Sequence, residues 1–403
     1  MNERLKTAFE LLAMATINGV VIGAVVSAFA LTLVWCNETM QSHVWLIYLL
    51  PFGGLMIVGL HKLAKVNNPT GTNRVIFRIH DNTYVRTIMA PLIFVSTLIS
   101  QFFGASVGRE AAALQIGGSL SSFLGKRFKI DEKFSPIVIV SGMSAAFSAL
   151  FGTPLAASLF ALELADCRIS NIKAIIPSAV SSTIAFFIGN HLSVPYVQIC
   201  VDTNLDLDAE TLLKVLFLAI LCALACMLFV ESSKLIKKCF KNAFKNSFAR
   251  IFAGGICVIL ITLAVGNQTY NGSSSEIIYS CLTETGFTVA WWACLLKILL
   301  TNVSLGSGYQ GGEILPCFFI GATLGNAFSQ YFAVDPIVAS ALGMTGLFAA
   351  STKCPLATLA ISIELFGFNN PIYFILVILV SMLASGPFRI YEEQKLPWKL
   401  PHN

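Results

Sequence analysis

Charged residues are scarce in this sequence. Only 12% of its 403 residues are Asp, Glu, Lys or Arg, and 56% are hydrophobic. A typical soluble domain has about 25% charged residues. This composition excludes an ordinary soluble protein, and the repeated long apolar stretches indicate an all-α membrane protein that crosses the bilayer several times.

Recognisable catalytic and metal-binding motifs are also missing. The five histidines form no HExxH motif, and the 11 cysteines form no CxxC pair and no cluster with histidine. We therefore predict no metal site, no cofactor, no catalytic residues and no enzymatic activity. The net charge of +5 comes from basic residues between apolar segments, so no nucleic-acid partner is expected. A membrane receptor would be expected to carry a sizeable soluble domain, whereas this chain has only short loops.

Lysine and arginine are unevenly distributed between the apolar segments. They are concentrated in 61–86, 126–133, 168–173 and 234–250, and they are absent from 36–43, 193–210 and 267–287. The positive-inside rule then places both termini and the basic loops in the cytoplasm of a cell whose inner membrane holds the protein. The run 234–250 is interpreted either as a cytoplasmic connector or as an amphipathic surface helix.

Several apolar segments are too short to cross a bilayer, which requires about 20 helical residues. Short apolar pieces that recur in both halves of a transporter indicate inverted repeats, whose broken helices meet at a central site. The short segments are 112–124, 136–150, 154–165, 315–330, 337–350 and 354–365.

An internal repeat is visible directly. Residues 142–164 align without gaps on 343–365, and 9 of the 23 aligned positions are identical. Upstream, 110–117 pairs with 314–321 in the same order. We predict one transmembrane domain over 1–403, in which broken and tilted helices form two inverted-topology repeats. The first repeat is expected at about 15–190 and the second at about 211–386, followed by a C-terminal helix or tail over 387–403.

Glu110 lies in the most informative stretch. A carboxylate at membrane depth costs roughly 2.5–3.5 kcal/mol, so it is either functional or caps the helix that follows it. Ile314 occupies the equivalent position in the second half, and glycines precede both residues. Two helix N-termini aimed at one point offer free N–H groups and positive dipole ends, which bind an anion without a buried basic side chain.

These motifs resemble those of a known family. Gly108-Arg109-Glu110, followed by Gln115-Ile116-Gly117-Gly118, resembles the GREGP…QIGG signature of the CLC anion channels and antiporters. The stretch 306–316, which contains Gly311, Gly312 and Pro316, resembles the GxxGGxFxP signature of the second half. The resemblance implies the CLC fold and a homodimer with one pore per subunit. Since the chain ends at Asn403, no regulatory soluble domain is expected. It also implies that Glu110 is a gating glutamate that carries protons, and that the Tyr391 hydroxyl faces the central anion.

Three departures from the family pattern refine this expectation. Thr72 stands where the family's GSGIP motif has a chloride-contacting serine, and Asn73 adds an amide, although these two residues also fit an ordinary turn. Leu164 occupies the position of the inner proton-relay glutamate. Glu313 replaces an apolar residue. Together these departures resemble the bacterial fluoride/proton antiporter branch, with exchange of chloride or another small anion, or a passive channel, as alternatives.

The expected partners are therefore fluoride or chloride, protons, membrane lipid and a second copy of the chain. The resemblance places the anion among Thr72, Asn73, Tyr391 and the backbone amides near Ile314 and Leu315. Glu313 is interpreted as a participant in anion or proton transfer; alternatively, it pairs with a basic residue or caps the helix that begins at Ile314.

Overall fold

The computed structural model describes residues 3–66, 71–166, 172–196, 208–367 and 371–395. These residues are almost entirely helical and contain no strand, which confirms the all-α prediction. The helices are α1 Glu3–Ser42, α2 Leu50–Leu63, α3 Gly71–His80, α4 Met89–Phe102, α5 Glu110–Arg127, α6 Ser135–Phe151, α7 Pro154–Leu164, α8 Ile172–His191, α9 Ala209–Ala243, α10 Ser247–Val265, α11 Ser275–Thr283, α12 Ala293–Ser307, α13 Ile314–Phe332, α14 Pro336–Thr352, α15 Pro355–Phe366 and α16 Pro371–Ala384.

The second eight helices repeat the first eight in order. Helices α4 and α12 begin at Met89 and Ala293, which are 204 positions apart (293 − 89). Helices α7 and α15 both begin with a proline at the first helical position, where the missing N–H costs nothing. Five helical stretches are long and apolar enough to cross a membrane, and six helices are apolar but shorter. Short helices in both halves are the expected mark of a transporter with broken helices.

Three stretches predicted as loops are partly or wholly helical. Helix α1 continues through the polar residues 36–42, helix α3 lies within the basic stretch 61–86, and helix α9 carries the basic run on to Ala243. Only a short connection separates α9 from α10, so most of the run 234–250 extends a spanning helix and is not a connector. Hydrophobicity indicates only the part of a helix that contacts lipid. A helix can continue beyond the bilayer into water, so a polar stretch need not be a loop. At the other end, 387–395 form a non-helical tail.

Glycines bring the helices that follow the two signatures into close contact. A Cβ on Gly117 would lie 2.4 Å from the Gly142 carbonyl oxygen, and a Cβ on Gly321 would lie 2.4 Å from the Gly343 carbonyl oxygen. The same backbone contact therefore joins α5 to α6 and α13 to α14. Small residues at such contacts are typical of membrane helix packing.

The glutamates that recur in the repeat cap each other's helices. Glu163, near the end of α7, accepts hydrogen bonds from the N–H groups of Leu356 (3.1 Å) and Ala357 (2.8 Å) at the start of α15. Glu364, near the end of α15, accepts from Leu155 (3.0 Å) and Ala156 (2.8 Å) at the start of α7. The reciprocal carboxylates satisfy the free amides of both helices and join the two repeats.

Candidate anion-binding site

The segments before α5 and α13 are paired by backbone hydrogen bonds. The Gly108 N–H donates to the Gly312 carbonyl (2.7 Å), and the Gly312 N–H donates back to the Gly108 carbonyl (2.9 Å). A Cβ on Gly108 would lie 2.8 Å from Glu110 Oε2, and one on Gly311 would lie 2.4 Å from Val107 Cβ. The glycines therefore let two backbones meet, and this meeting places the starts of α5 and α13 side by side.

The Glu110 carboxylate occupies the start of α13. Its Oε2 accepts hydrogen bonds from the N–H groups of Arg109 (3.0 Å) and Leu315 (3.2 Å), and Arg109 Nε lies 3.7 Å from Oε1. Glu110 is fully buried, and its Oε1 has no hydrogen-bond partner. Within the described chain, neither helix start has a side-chain cap from the residue that precedes it. The carboxylate thus lies where two helix N-termini favour a negative charge.

A polar cavity of about 130 Å³ lies on one side of this carboxylate. It brings together six of the predicted residues, which belong to four separate parts of the chain. These are Thr72 and Asn73 in α3, Gln115 in α5, Gly311 and Glu313 before α13 and Tyr391 in the C-terminal tail. The fold therefore gathers in one polar space residues that lie far apart in the sequence.

The hydrogen bonds of these side chains differ in an informative way. The Tyr391 hydroxyl is buried and has no partner, so it remains free to donate. The Thr72 hydroxyl donates to the Ala111 carbonyl (3.3 Å), and so does Gln115 Nε2 (3.0 Å). Asn73 Oδ1 accepts from the Glu393 N–H (3.3 Å), which leaves its Nδ2 donors for another group. Thr72 and Asn73 belong to the first turn of α3 and not to an isolated turn.

Glu313 directly precedes α13 and lines the polar cavity. Its side chain caps no N–H group at the helix start, and no ion pair within 4 Å involves it among the described residues. Neither a direct ion pair nor a helix cap is therefore formed among the described residues, while Lys237 in the same cavity lining attracts the carboxylate over a longer distance. Glu313 is a carboxylate that faces an anion-sized polar space.

An apolar cavity of about 60 Å³ lies beside the residues that hold the Glu110 carboxylate. Arg109 and Leu315, both bonded to or paired with the carboxylate, line it together with Phe151 and Phe318. Glu110 itself is fully buried and lines neither this cavity nor the polar cavity.

Lys237 is a charged site residue that sequence reasoning missed. It lies on α9, lines the polar cavity and also borders a wider vestibule of about 350 Å³ that contains Arg74 and Arg78. The basic run predicted a connector or a surface helix, and which of its residues would face the cavity depends on the packing of α9. Leu164, at the position where the resemblance implies the inner proton-relay glutamate of antiporters, is fully buried.

Comparison with known proteins places this geometry in a family. The family described as voltage gated chloride channel matches residues 53–386. The chain is 31% identical over 389 residues to the "Chloride/fluoride channel protein" of Pseudomonas syringae pv. tomato, covering 96% of this chain and 86% of that protein. It is 24% identical to the "H(+)/Cl(-) exchange transporter ClcA" of Vibrio campbellii, covering 94% and 86%.

A solved structure shares the fold over nearly the whole chain. The crystal structure of a CLC-type fluoride/proton antiporter superimposes with a TM-score of 0.92 at 28% identity, covering 98% of this chain and 99% of that one. A slow cyanobacterial Cl−/H+ antiporter superimposes with a TM-score of 0.77 at 20% identity, covering 93% of each chain. The chain therefore belongs to the voltage gated chloride channel (CLC) family, and it is a membrane anion transporter and not an enzyme.

Proposed function

We propose that the protein exports fluoride from the cytoplasm in exchange for protons, with Glu110 as both the gate and the proton carrier. One observation carries the proposal. The fully buried Glu110 carboxylate takes the hydrogen bond of the Leu315 N–H at the start of α13. An anion that reaches the same amide must displace this carboxylate.

Protonation of Glu110 would displace its side chain from the start of α13. A neutral carboxyl group loses its attraction to the positive end of α13 and to Arg109, so it gives up the helix N-terminus more readily than the carboxylate does. An anion from the polar cavity then takes the N–H groups of Ile314 and Leu315. Release of the proton returns the carboxylate and expels the anion, which couples the two movements.

The donors around the polar cavity support fluoride as the anion. Fluoride is small and strongly hydrated, so its site must supply well-directed donors in place of water. The free Tyr391 hydroxyl, the Asn73 amide and the α13 N–H groups supply them, and Lys237 in the cavity lining adds positive charge. The names of two similar proteins, a chloride/fluoride channel protein and a fluoride/proton antiporter, favour the same ion.

The proton needs a route that avoids Leu164. Glu313 offers one, because its carboxylate lines the polar cavity without an ion-pair partner among the described residues. A swing of Glu110 itself into the polar cavity offers the other. In both routes the proton passes through the polar cavity, which the anion also uses.

Chloride/proton exchange is the second candidate, favoured by the likeness to the Vibrio campbellii transporter. A passive anion channel is the third. We further propose a homodimer in the inner membrane, with both termini in the cytoplasm and lipid on the exposed apolar faces. Single-molecule photobleaching of the reconstituted protein should show two subunits per particle; a fully active monomer would contradict the dimer.

Liposomes that contain the purified protein test the proposal. Fluoride efflux, followed with a fluoride electrode, should be faster than chloride efflux and should be accompanied by proton uptake. Glu110→Gln should abolish proton uptake, because an amide binds and releases no proton. Glu276→Gln, at an exposed position of α11, serves as the matched control and should keep both movements.

The opposite outcomes of these measurements point to the alternative functions. Proton uptake that persists in Glu110→Gln overturns the assignment of Glu110. Coupled chloride efflux as fast as that of fluoride favours chloride exchange, and wild-type anion efflux without proton uptake favours a channel.

A further inference from the structure

A second cavity lined by basic residues lies beside the polar cavity. This basic cavity, of about 120 Å³, lies between the end of α2, the start of α10 and the end of α12. None of the described residues that line it is acidic. Its polar lining consists of His61, Lys62, Ser247, Arg250, Ser307 and Gln310.

Two nitrogen atoms of this lining are shielded from water and have no partner. His61 is only 6% exposed; its Nε2 lies 3.3 Å from the Ser96 hydroxyl, but its Nδ1 has no hydrogen bond. Arg250 Nε is likewise buried and unpaired. A buried polar group without a partner costs about 1–3 kcal/mol, and more when it is charged. Both residues line the basic cavity, so an acceptor bound there would lie near these two nitrogens.

The positive charge in the basic cavity is also not neutralised. Lys62 Nζ lies 4.3 Å from the centre of the Phe248 ring, and the described ion pairs include neither Lys62 nor Arg250. Ser247 begins the 19-residue helix α10, whose N-terminus adds positive potential. The cations Lys62 and Arg250, the N-terminus of α10 and the buried His61 therefore surround one space.

We propose that the basic cavity is a second anion site, separate from the site at Glu110, which binds a small inorganic anion such as a halide or phosphate. Arg250 and Lys62 supply the charge. When the Ser96 hydroxyl donates to Nε2, the proton of the neutral His61 ring lies on Nδ1, and His61 becomes a donor. The volume admits one small anion with a few water molecules.

The second site is coupled to the transport path through Gln310. This residue lines both the basic and the polar cavity, and its N–H donates to the Ser100 hydroxyl (3.1 Å). It directly precedes Gly311 and Gly312, whose backbone sets the start of α13. An anion in the basic cavity therefore acts on the wall of the polar cavity. The inference holds whichever anion the protein transports.

Crystals of the full-length protein soaked in bromide or in selenate locate the site, because both anions scatter anomalously. We expect a peak beside Arg250 and Lys62, separate from any peak at α13. Arg250→Gln and Lys62→Gln should each remove it. Lys238→Gln neutralises an exposed lysine of the same basic run outside the cavity and should leave the peak in place. No peak with either anion, or an undiminished peak in both cavity variants, overturns the proposal.

Calorimetric titration of the purified protein with sodium bromide and with sodium phosphate gives an independent measure. Lys62 is exposed, so Lys62→Gln should fold normally, and it should weaken binding at the second site about tenfold or more. Glu110→Gln should leave this binding unchanged, which separates the second site from the proposed exchange mechanism. Unchanged binding in Lys62→Gln and Arg250→Gln refutes the site even if Glu110 behaves as expected.

Discussion

Glu313 and Glu364 are both partly buried but differ in their partners, and this contrast yields a sharp prediction. Glu364 accepts two backbone hydrogen bonds, whereas the Glu313 side chain lines the polar cavity and caps no amide. Glutamine at either position removes the charge and keeps the shape. The two substitutions should therefore affect different properties of the protein.

The size of each effect follows from the bonds that are lost. In Glu364→Gln one oxygen still accepts a hydrogen bond, but the new NH₂ group faces the other N–H, so one charge-assisted bond worth about 1.5–3 kcal/mol disappears. For 403 residues and an unfolding entropy of about 2.1 cal/mol/K per residue, the melting temperature should fall by about 2–4 °C. Glu313→Gln breaks no such bond and should change it by less than about 1 °C.

The two substitutions should affect the transport rate in the opposite order. If Glu313 transfers protons, its amide should slow coupled fluoride efflux by about 100-fold, the usual lower contribution of a positioned acid or base. Glu364→Gln should transport at nearly the wild-type rate, because Glu364 does not line the polar cavity. The assay pairs thermal unfolding in detergent with efflux from liposomes. A Glu313→Gln protein with wild-type rate and coupling, or with the larger loss of stability, would refute this reasoning.

Three other measurements test separate parts of the structure. Tyr391→Phe removes a hydroxyl that has no partner, so stability should be unchanged while the apparent anion affinity falls about tenfold, as loss of a charged hydrogen bond implies; unchanged affinity would remove Tyr391 from the site. Gly117→Ala should destabilise the protein by about 1–3 kcal/mol because its methyl group meets the Gly142 carbonyl, whereas Gly59→Ala, with no atom within 4 Å, should not; equal effects would contradict the helix contact. Exposed Cys239, on the basic end of α9, should react with an impermeant maleimide only after cells are opened, judged against Cys239→Ser; labelling of intact cells would reverse the topology.

The sequence predicted the positions of the short, broken helices well. Pro154 and Pro355 mark the starts of two of them, and the apolar runs indicate how far each helix extends. It located Glu110 and Ile314 at equivalent starts, and both begin a helix. It did not predict the role of Lys237, since the side of α9 that faces the cavity depends on packing between distant segments.

The basic cavity was equally invisible in the sequence. Its polar residues come from three helices and a connecting segment, and the lack of a partner for His61 and Arg250 is a property of the folded state. Local patterns specify helices and their ends. Which polar atoms remain unpaired depends on how all the helices pack in the folded protein.

The reciprocal glutamates have a consequence for biosynthesis. Glu364 reaches back 209 residues to Leu155, and Glu163 reaches forward 193 residues to Leu356. At about 5–20 residues per second, the ribosome needs roughly 10–40 s to make the intervening chain. Throughout that interval the first amides of α7 lack their carboxylate, in a medium where unpaired backbone groups are costly. The first half therefore stays in the membrane with the start of α7 uncapped. When the second half has been made, Glu364 caps α7 and Glu163 caps α15.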